Sequence, residues 1–175
     1  DNYELEQSRG ITIFSKQAEI MLGDRPVTLL DTPGHVDFAA EMERTLQVLD
    51  YAILVVNGAD GVQGHTETLW RLLARYQIPT FIFVNKMDQA GTEPEKVLTE
   101  LHDRLSEGCT AFPGSAGLTE GNARVAVSES EWLESMAMLE ETAMEEYLET
   151  DTLSADTIRR LIRSRRLFPC YFGSA

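Results

Sequence analysis

Val27-Thr28-Leu29-Leu30-Asp31-Thr32-Pro33-Gly34-His35 is the stretch whose reading decides the fold. An apolar, partly β-branched run ends abruptly in an acid, and the residues that follow form a turn around Pro and Gly. The pattern predicts a buried strand that delivers the Asp31 carboxylate to the carboxyl edge of a sheet, where open α/β folds place their ligands. Gly34 leaves a bare backbone N–H free to approach an anion closely. A carboxylate beside such an amide suits a phosphate accompanied by a magnesium ion. An ordinary strand closed by a Pro-Gly turn is the alternative at this point, so the flanking sequence has to decide.

Upstream, residues 11–22 alternate imperfectly, and Gly23-Asp24-Arg25-Pro26 supplies a turn, which makes the opening stretch the second strand of a hairpin. Before it, Arg9-Gly10-Ile11-Thr12-Ile13 places a Thr hydroxyl just after a flexible Gly; taken alone, Thr12 is a strand residue. Downstream, Phe38, Met42, Leu46 and Leu49 recur at helical spacing. Residues 51–56 are a continuous apolar run, as expected of a parallel strand covered on both faces. A glycine-rich loop (57–64), a helical pattern (66–76) and, after Pro79, a second buried strand (80–84) follow. This rhythm predicts right-handed crossovers and a mostly parallel sheet.

Residues 109–124, rich in Gly, Thr, Ser and Ala, read as a loop. Ser128-Glu129-Ser130-Glu131 predicts a capping box that opens one long helix over 131–149. Its stripe of Trp132, Met136, Leu139 and Ala143 is expected in a core, and its acids (Glu140, Glu141, Glu145, Glu146, Glu149) on a solvated face. A further helix is expected over 157–166, with Arg159, Arg160, Arg163, Arg165 and Arg166 towards its carboxyl end, where the helix dipole favours them.

The chain has 175 residues, 43% of them hydrophobic, enough for one core and one domain. A net charge of -14, with 29 acids against 15 bases, works against unaided binding to DNA or other nucleic acid. Cys109 and Cys170 are far apart, with no His or Cys at ligand spacing, so free thiols in the cytoplasm are the simplest reading. No apolar run reaches the length of a membrane span, and the first residues do not resemble a signal peptide. The chain begins without Met, inside what reads as a functional loop, and is expected to be a piece of a longer protein.

The second buried strand ends in Asn85-Lys86-Met87-Asp88. An Asn amide and a carboxylate three residues apart on a tight turn present an ordered edge to a purine. The carboxylate accepts from adjacent ring N–H and exocyclic NH₂ groups, a pattern guanine shows and adenine lacks. The stem of Lys86 can lie over the ring plane. A polar turn closing a strand is the alternative. The position of this turn, one βαβα unit beyond Asp31-Thr32-Pro33-Gly34, gives the pattern its weight.

Together these segments resemble a known family. Arg9-Gly10-Ile11-Thr12-Ile13, Asp31-Thr32-Pro33-Gly34-His35 and Asn85-Lys86-Met87-Asp88 resemble the switch I, switch II and guanine-specificity motifs of translational GTPases. Gly173-Ser174-Ala175 resembles their last guanine-contacting motif. The run 167–175, with Asp60-Gly61-Val62-Gln63, is most similar to elongation factor G and to the tetracycline-resistance ribosomal protection proteins. The middle of the chain is too short for the extra subdomain of elongation factor G, which favours the protection proteins. The resemblance covers nearly the whole chain and is weakest over 109–152.

The resemblance implies an α/β G domain of the P-loop NTPase type, running over residues 1–175 from switch I to the last guanine motif. It assigns Thr12 to Mg²⁺ and the γ-phosphate, Asp31 to Mg²⁺, the Gly34 N–H to the γ-phosphate, and His35 to the attacking water. Asn85 and Asp88 would read guanine, Lys86 would stack, and the Ser174 and Ala175 backbone would complete the base pocket. It further implies GTP or GDP with Mg²⁺ as ligand, GTP hydrolysis as reaction, and the ribosome as partner of the full-length protein. The arginines of 159–166 become a candidate contact for ribosomal RNA. Elongation factor G itself, a peptide-release or recycling relative, and a non-catalytic G-like interaction module are the alternative readings.

One departure stands out. No Gly-x-x-x-x-Gly-Lys-Ser/Thr phosphate loop occurs in the chain, and the family places it upstream of switch I. The first strand, that loop and the first helix are therefore expected to be missing. The chain alone is expected to bind GTP weakly, not to turn it over appreciably, and to expose an unpaired strand edge that invites dimerisation or swapping in a crystal. Ser8 stands where relatives carry Glu, with little consequence expected.

Overall fold

The computed structural model describes residues 16–32, 39–112 and 128–174, and the chain divides into two compact units, residues 1–49 and 50–175. In the first unit, β1 (Lys16–Leu22) and β2 (Arg25–Asp31) form the predicted antiparallel hairpin. Its turn uses Gly23 at φ +61°, a conformation that costs Gly nothing. α1 (Ala39–Leu46) follows and buries Met42 and Leu46. The buried character expected of β2 is not found. Among the described residues β2 pairs only with β1, and Leu29 remains 49% exposed. A two-stranded ribbon has no second layer of its own to cover the row made by Ala18, Ile20 and Leu22 with Val27 and Leu29.

In the second unit, β3 (Ala52–Asn57), β4 (Thr80–Asn85), β5 (Cys109–Ala111) and β6 (Phe168–Phe172) form a sheet in the order β3-β4-β6-β5. Every pair is parallel, as the strand–helix rhythm predicts. α2 (Gly64–Arg75) and α3 (Pro94–Arg104) connect the early strands. α4 (Glu129–Ala137), α5 (Glu141–Thr150) and α6 (Ala155–Arg163) stand between β5 and β6 in sequence. Leu54 and Val56 of β3 join Ile82 and Val84 of β4, Trp70 of α2, and Val97 and Leu101 of α3 in one core. A second core gathers Met136, Ala137, Ala143 and Leu161 from α4, α5 and α6. Arg165 locks the approach to β6: its guanidinium lies 5.1 Å from both the Trp70 and Phe168 rings and donates to Thr80 Oγ1 at 2.8 Å.

Four local expectations need correction. The run 51–56 gives an edge strand, β3, covered on one face only: Leu54 and Val56 join the core, Ile53 and Val55 on the other face are 62% and 60% exposed, and among the described residues β3 has a sheet neighbour on one side alone. Cys109–Ala111, read as loop, is the buried strand β5; three residues are too few to show a period. The long helix over 131–149 is two helices, α4 and α5, interrupted where Glu140 takes φ -155° and its carboxylate pairs with Arg160 of α6. The capping box itself is present, Ser128 Oγ accepting from Glu131 N–H at 3.3 Å and Glu131 accepting from Ser128 N–H at 3.0 Å. The last helix ends at Arg163, since Arg165 adopts φ +56° to reach Trp70.

Candidate functional site

The carboxyl ends of β3, β4 and β6 meet in one knot of backbone hydrogen bonds. Gly58 N–H donates to Asn85 C=O at 2.8 Å, Gly173 N–H to Val84 C=O at 3.0 Å, and Met87 N–H to Gly173 C=O at 3.1 Å. Gly58 is required at the first of these: a Cβ there would stand 2.5 Å from Met87 Sδ and 3.2 Å from Asn85 O. Beyond β4 the chain reverses through Lys86 at φ +62°, and Asn85 Oδ1 holds the turn by accepting Lys86 N–H at 2.8 Å. Thr92 Oγ1 closes it by donating to Met87 C=O at 2.9 Å. Met87 is buried beneath the turn, and Lys86 and Asp88 stand exposed above it.

The structure brings Asn85, Lys86, Asp88 and Ser174 together. Ser174 Oγ donates to Asp88 Oδ1 at 2.6 Å, so the hydroxyl fixes the carboxylate's direction. That hydrogen bond is the main cause holding the Asp88 carboxyl below its ordinary value, helped by its own backbone N–H and by Lys86. Asp88 is therefore an anion and a pure acceptor at neutral pH. The sequence reading gave Ser174 a backbone role; its side chain does more, and it lies 86 residues from Asp88 in sequence. Asn85, read as a purine contact, spends its side-chain oxygen on the turn.

Beside this turn lies a cavity of about 210 Å³ lined by Asn57, Asp60, Gln63, His65, Asn85 and Lys86, among others. Its far wall is the loop from β3 to α2. Asn57 organises that loop, donating from Nδ2 to Asp60 Oδ2 at 2.6 Å and accepting Ala59 N–H at 3.0 Å. In the first unit, Asp31 is the exposed last residue of β2, and Thr32 follows half-buried. Thr12, Pro33, Gly34, His35 and Ala175 lie outside the described residues. Among the described residues no three His, Cys, Asp or Glu side chains converge as metal ligands, and no helix is long and apolar enough to cross a membrane.

The whole chain, residues 1–175, matches the family described as the elongation factor Tu GTP binding domain. The chain belongs to that family. Among the relatives of this GTP-binding domain, the oxytetracycline resistance protein of Streptomyces rimosus is 41% identical over 193 residues, taking in 100% of this chain and 28% of that protein. Elongation factor G of Ureaplasma parvum serovar 3 is 34% identical over 206 residues, 97% of this chain and 30% of that protein. The chain thus spans less than a third of the length of these curated relatives. The crystal structure of a Thermus thermophilus protein, ttk003000868, shares the fold, with a TM-score of 0.78 at 24% identity, over 99% of this chain and 31% of that one. The α/β architecture and a guanine-nucleotide-binding family are thereby shown.

In this GTP-binding domain each of the arginines near α6 has a partner within the chain, Arg159 and Arg160 while remaining exposed. Arg160 pairs with Glu140, Arg159 with Asp156, Arg163 donates to Tyr51 Oη, Arg165 is wedged between rings, and Arg166 donates to Leu139 C=O. The acids of α5 are likewise not all solvated, because Glu146 accepts Ser154 N–H at 2.6 Å and the Thr157 hydroxyl. Sequence reasoning missed Glu67, Glu100 and Arg104. The one trace they left was Gly61 in the β3–α2 loop.

Proposed function

We propose that the chain is the guanine-nucleotide-binding part of a GTP-hydrolysing translation factor that works on the ribosome in the cytoplasm, of the ribosomal protection type. The bond from Ser174 to Asp88 carries this reading, because it aims an ionised carboxylate outward from the carboxyl edge of a parallel sheet. Such a carboxylate accepts from guanine N1–H and its exocyclic amine together, and meets no such pair on adenine. Lys86 lays its stem over the base, Asn85 holds the turn, and Ser174 with Ala175 closes the pocket. The higher identity to the oxytetracycline resistance protein, 41% against 34% for elongation factor G, supports the protection type.

In hydrolysis, water oxygen bonds to the γ-phosphorus as the bond to the β-phosphate oxygen breaks, releasing GDP and phosphate. His35 orients that water, and the Gly34 N–H stabilises charge on a γ-oxygen. The Thr12 hydroxyl and Asp31 carboxylate are hard oxygen donors that suit Mg²⁺, which neutralises phosphate charge when bound. Loss of the γ-phosphate would release Thr12 and Gly34 and shift the switch population. Without a phosphate loop, the chain by itself should bind GTP only weakly and not hydrolyse it. When isolated, it should pair with a second copy along β3.

Exchanging Asp88→Asn tests the reading. The amide replaces an acceptor with a donor, so GDP affinity should fall by about 10²-fold or more, and affinity for xanthosine diphosphate, with a carbonyl at that ring position, should rise. Calorimetry with both nucleotides decides it, and equal affinities before and after the exchange would remove Asp88 from the base site.

A further inference from the structure

We infer that Glu100 and Arg104 of α3 are positioning residues for the cavity wall beside the guanine turn, acting through the β3–α2 loop; this rests on the guanine-nucleotide reading of that turn. The loop Gly58–Gln63 has no regular structure; Asn57 serves Ala59 and Gly61 locally, and the groups it does not reach need partners from elsewhere. α3 supplies them at the loop's centre. Val62 is fully buried, and both its main-chain groups are gripped: its N–H donates to Glu100 Oε1 at 3.1 Å, and its C=O accepts from Arg104 Nη1. Arg104, one turn beyond Glu100, also pairs with Glu100 at 3.0 Å and with Glu67 of α2 at 2.7 Å.

Partly exposed ion pairs alone contribute little. Here the charged groups terminate on the backbone of a buried residue, and removing them strands an N–H and a C=O away from water, which is the costly case. Gly61 confirms that the fit is shaped around the carboxylate. It sits at φ +66°, and a Cβ on it would stand 2.1 Å from Glu100 Oε2. Glu100 and Arg104 are 38 and 42 residues from Val62 in sequence, so the grip is tertiary and no local cap replaces it.

From Val62 the constraint passes to the site in two steps. Gly61 N–H donates to Asn57 C=O at 2.9 Å, closing the loop on itself, and Gly58 N–H donates to Asn85 C=O, tying it to the guanine turn. Asn57, Asp60 and Gln63 thus form one wall of the cavity, and Asn85 with Lys86 forms the other. Neither Glu100 nor Arg104 lines that cavity, so their influence is on its geometry.

The test uses the 175-residue chain, with amide hydrogen exchange read by NMR and GDP titrated into it. Arg104→Gln should speed exchange at Val62 and Gly58 by about tenfold or more, leave Ile82 and Val84 unchanged, and weaken GDP binding about fivefold. Arg104→Lys should recover part of both effects, since an ammonium reaches one acceptor but cannot fork. Arg160→Gln, which breaks the comparable pair with Glu140, should move neither. Glu100→Gln keeps an oxygen for Val62 N–H and drops only the charge that holds Arg104, so it serves if Arg104→Gln does not fold, with the same signs at smaller size. Unchanged exchange at Gly58, or an equal effect from Arg160→Gln, overturns the inference. If GDP at millimolar concentration shifts no amide between Asn85 and Asp88 in the unaltered chain, the guanine reading fails instead, and the Gly58 exchange rate alone then decides the positioning role.

Discussion

β3 and β4 are neighbours of equal length, six residues each, paired from Ala52–Thr80 to Asn57–Asn85, and their apolar runs are nearly interchangeable in composition. Their environments are not. β4 lies between β3 and β6, with Ile82 and Val84 fully buried, whereas among the described residues β3 has a partner on one side and leaves Ile53 and Val55 about 60% exposed. Leu54 and Val56, on the opposite face of β3, are buried in the same core as Trp70 and Val62. A run of apolar residues therefore records the environment for which a strand is composed, and the surplus on β3 marks a face and an edge composed for cover. The carboxyl ends differ in the same sense. β4 and β6 share a finished turn at Asp88 and Ser174, and β3 gives onto an open cavity wall that α3 must hold in place.

Truncating matched residues on the two strands should produce the largest contrast. Ile82→Ala removes a fully buried side chain and is expected to cost about 3–4 kcal/mol by urea denaturation. Ile53→Ala, on the exposed face, should cost less than about 1 kcal/mol. Similar losses at both positions would mean that β3 is covered in solution and would break the comparison.

The open edge predicts a smaller effect on assembly. Residues 52–56 carry no charge and no Pro, so nothing on β3 discourages pairing with another strand. A net charge of -14 opposes it through repulsion that salt screens. Light scattering should show association of the isolated chain that rises with both protein and salt concentration, and Val55→Lys should reduce it. A monomer at every salt concentration would show that β3 finds its cover within one chain.

What could be read from the sequence divides along the same line. Ser128 with Glu131, the hairpin turn at Gly23 and the turn at Asn85–Asp88 are local: the residues that need a partner lie within a few positions of the one that supplies it. The break at Glu140 was invisible, because the stripe from Trp132 to Ala143 continues through it without Gly or Pro. At the break Glu140 turns to Arg160, 20 residues away, a partner the local sequence does not show. Arg165 read as a helix-end charge and is a wedge between two rings. Glu100 and Arg104 drew no reading at all, because the backbone they grip lies 38 and 42 residues away.

Charge composition can mislead in the opposite direction from apolar composition, and α5 offers the smallest test. Glu145 and Glu146 are adjacent and read alike as a solvated face, but Glu146 accepts from Ser154 N–H and the Thr157 hydroxyl and so caps the start of α6. Chiefly the Thr157 hydroxyl, and then the Ser154 N–H, hold its carboxyl below the ordinary value of 4.5. A carboxylate whose pKa is lower in the folded chain contributes stability that is present above 4.5 and is lost as the pH falls through the folded value. Glu146→Gln should therefore lower stability at pH 7 by ~0.5 kcal/mol, the scale of an exposed cap. As the pH falls from 4.5 through the lower folded value, the gap between variant and unaltered chain should narrow, because protonation removes the charge. Glu145→Gln, which removes no hydrogen bond of this kind, should leave the stability at pH 7 unchanged. Thermal melts from pH 3 to 7 would separate the two, and identical profiles for both variants would return Glu146 to the solvated face on which its sequence placed it.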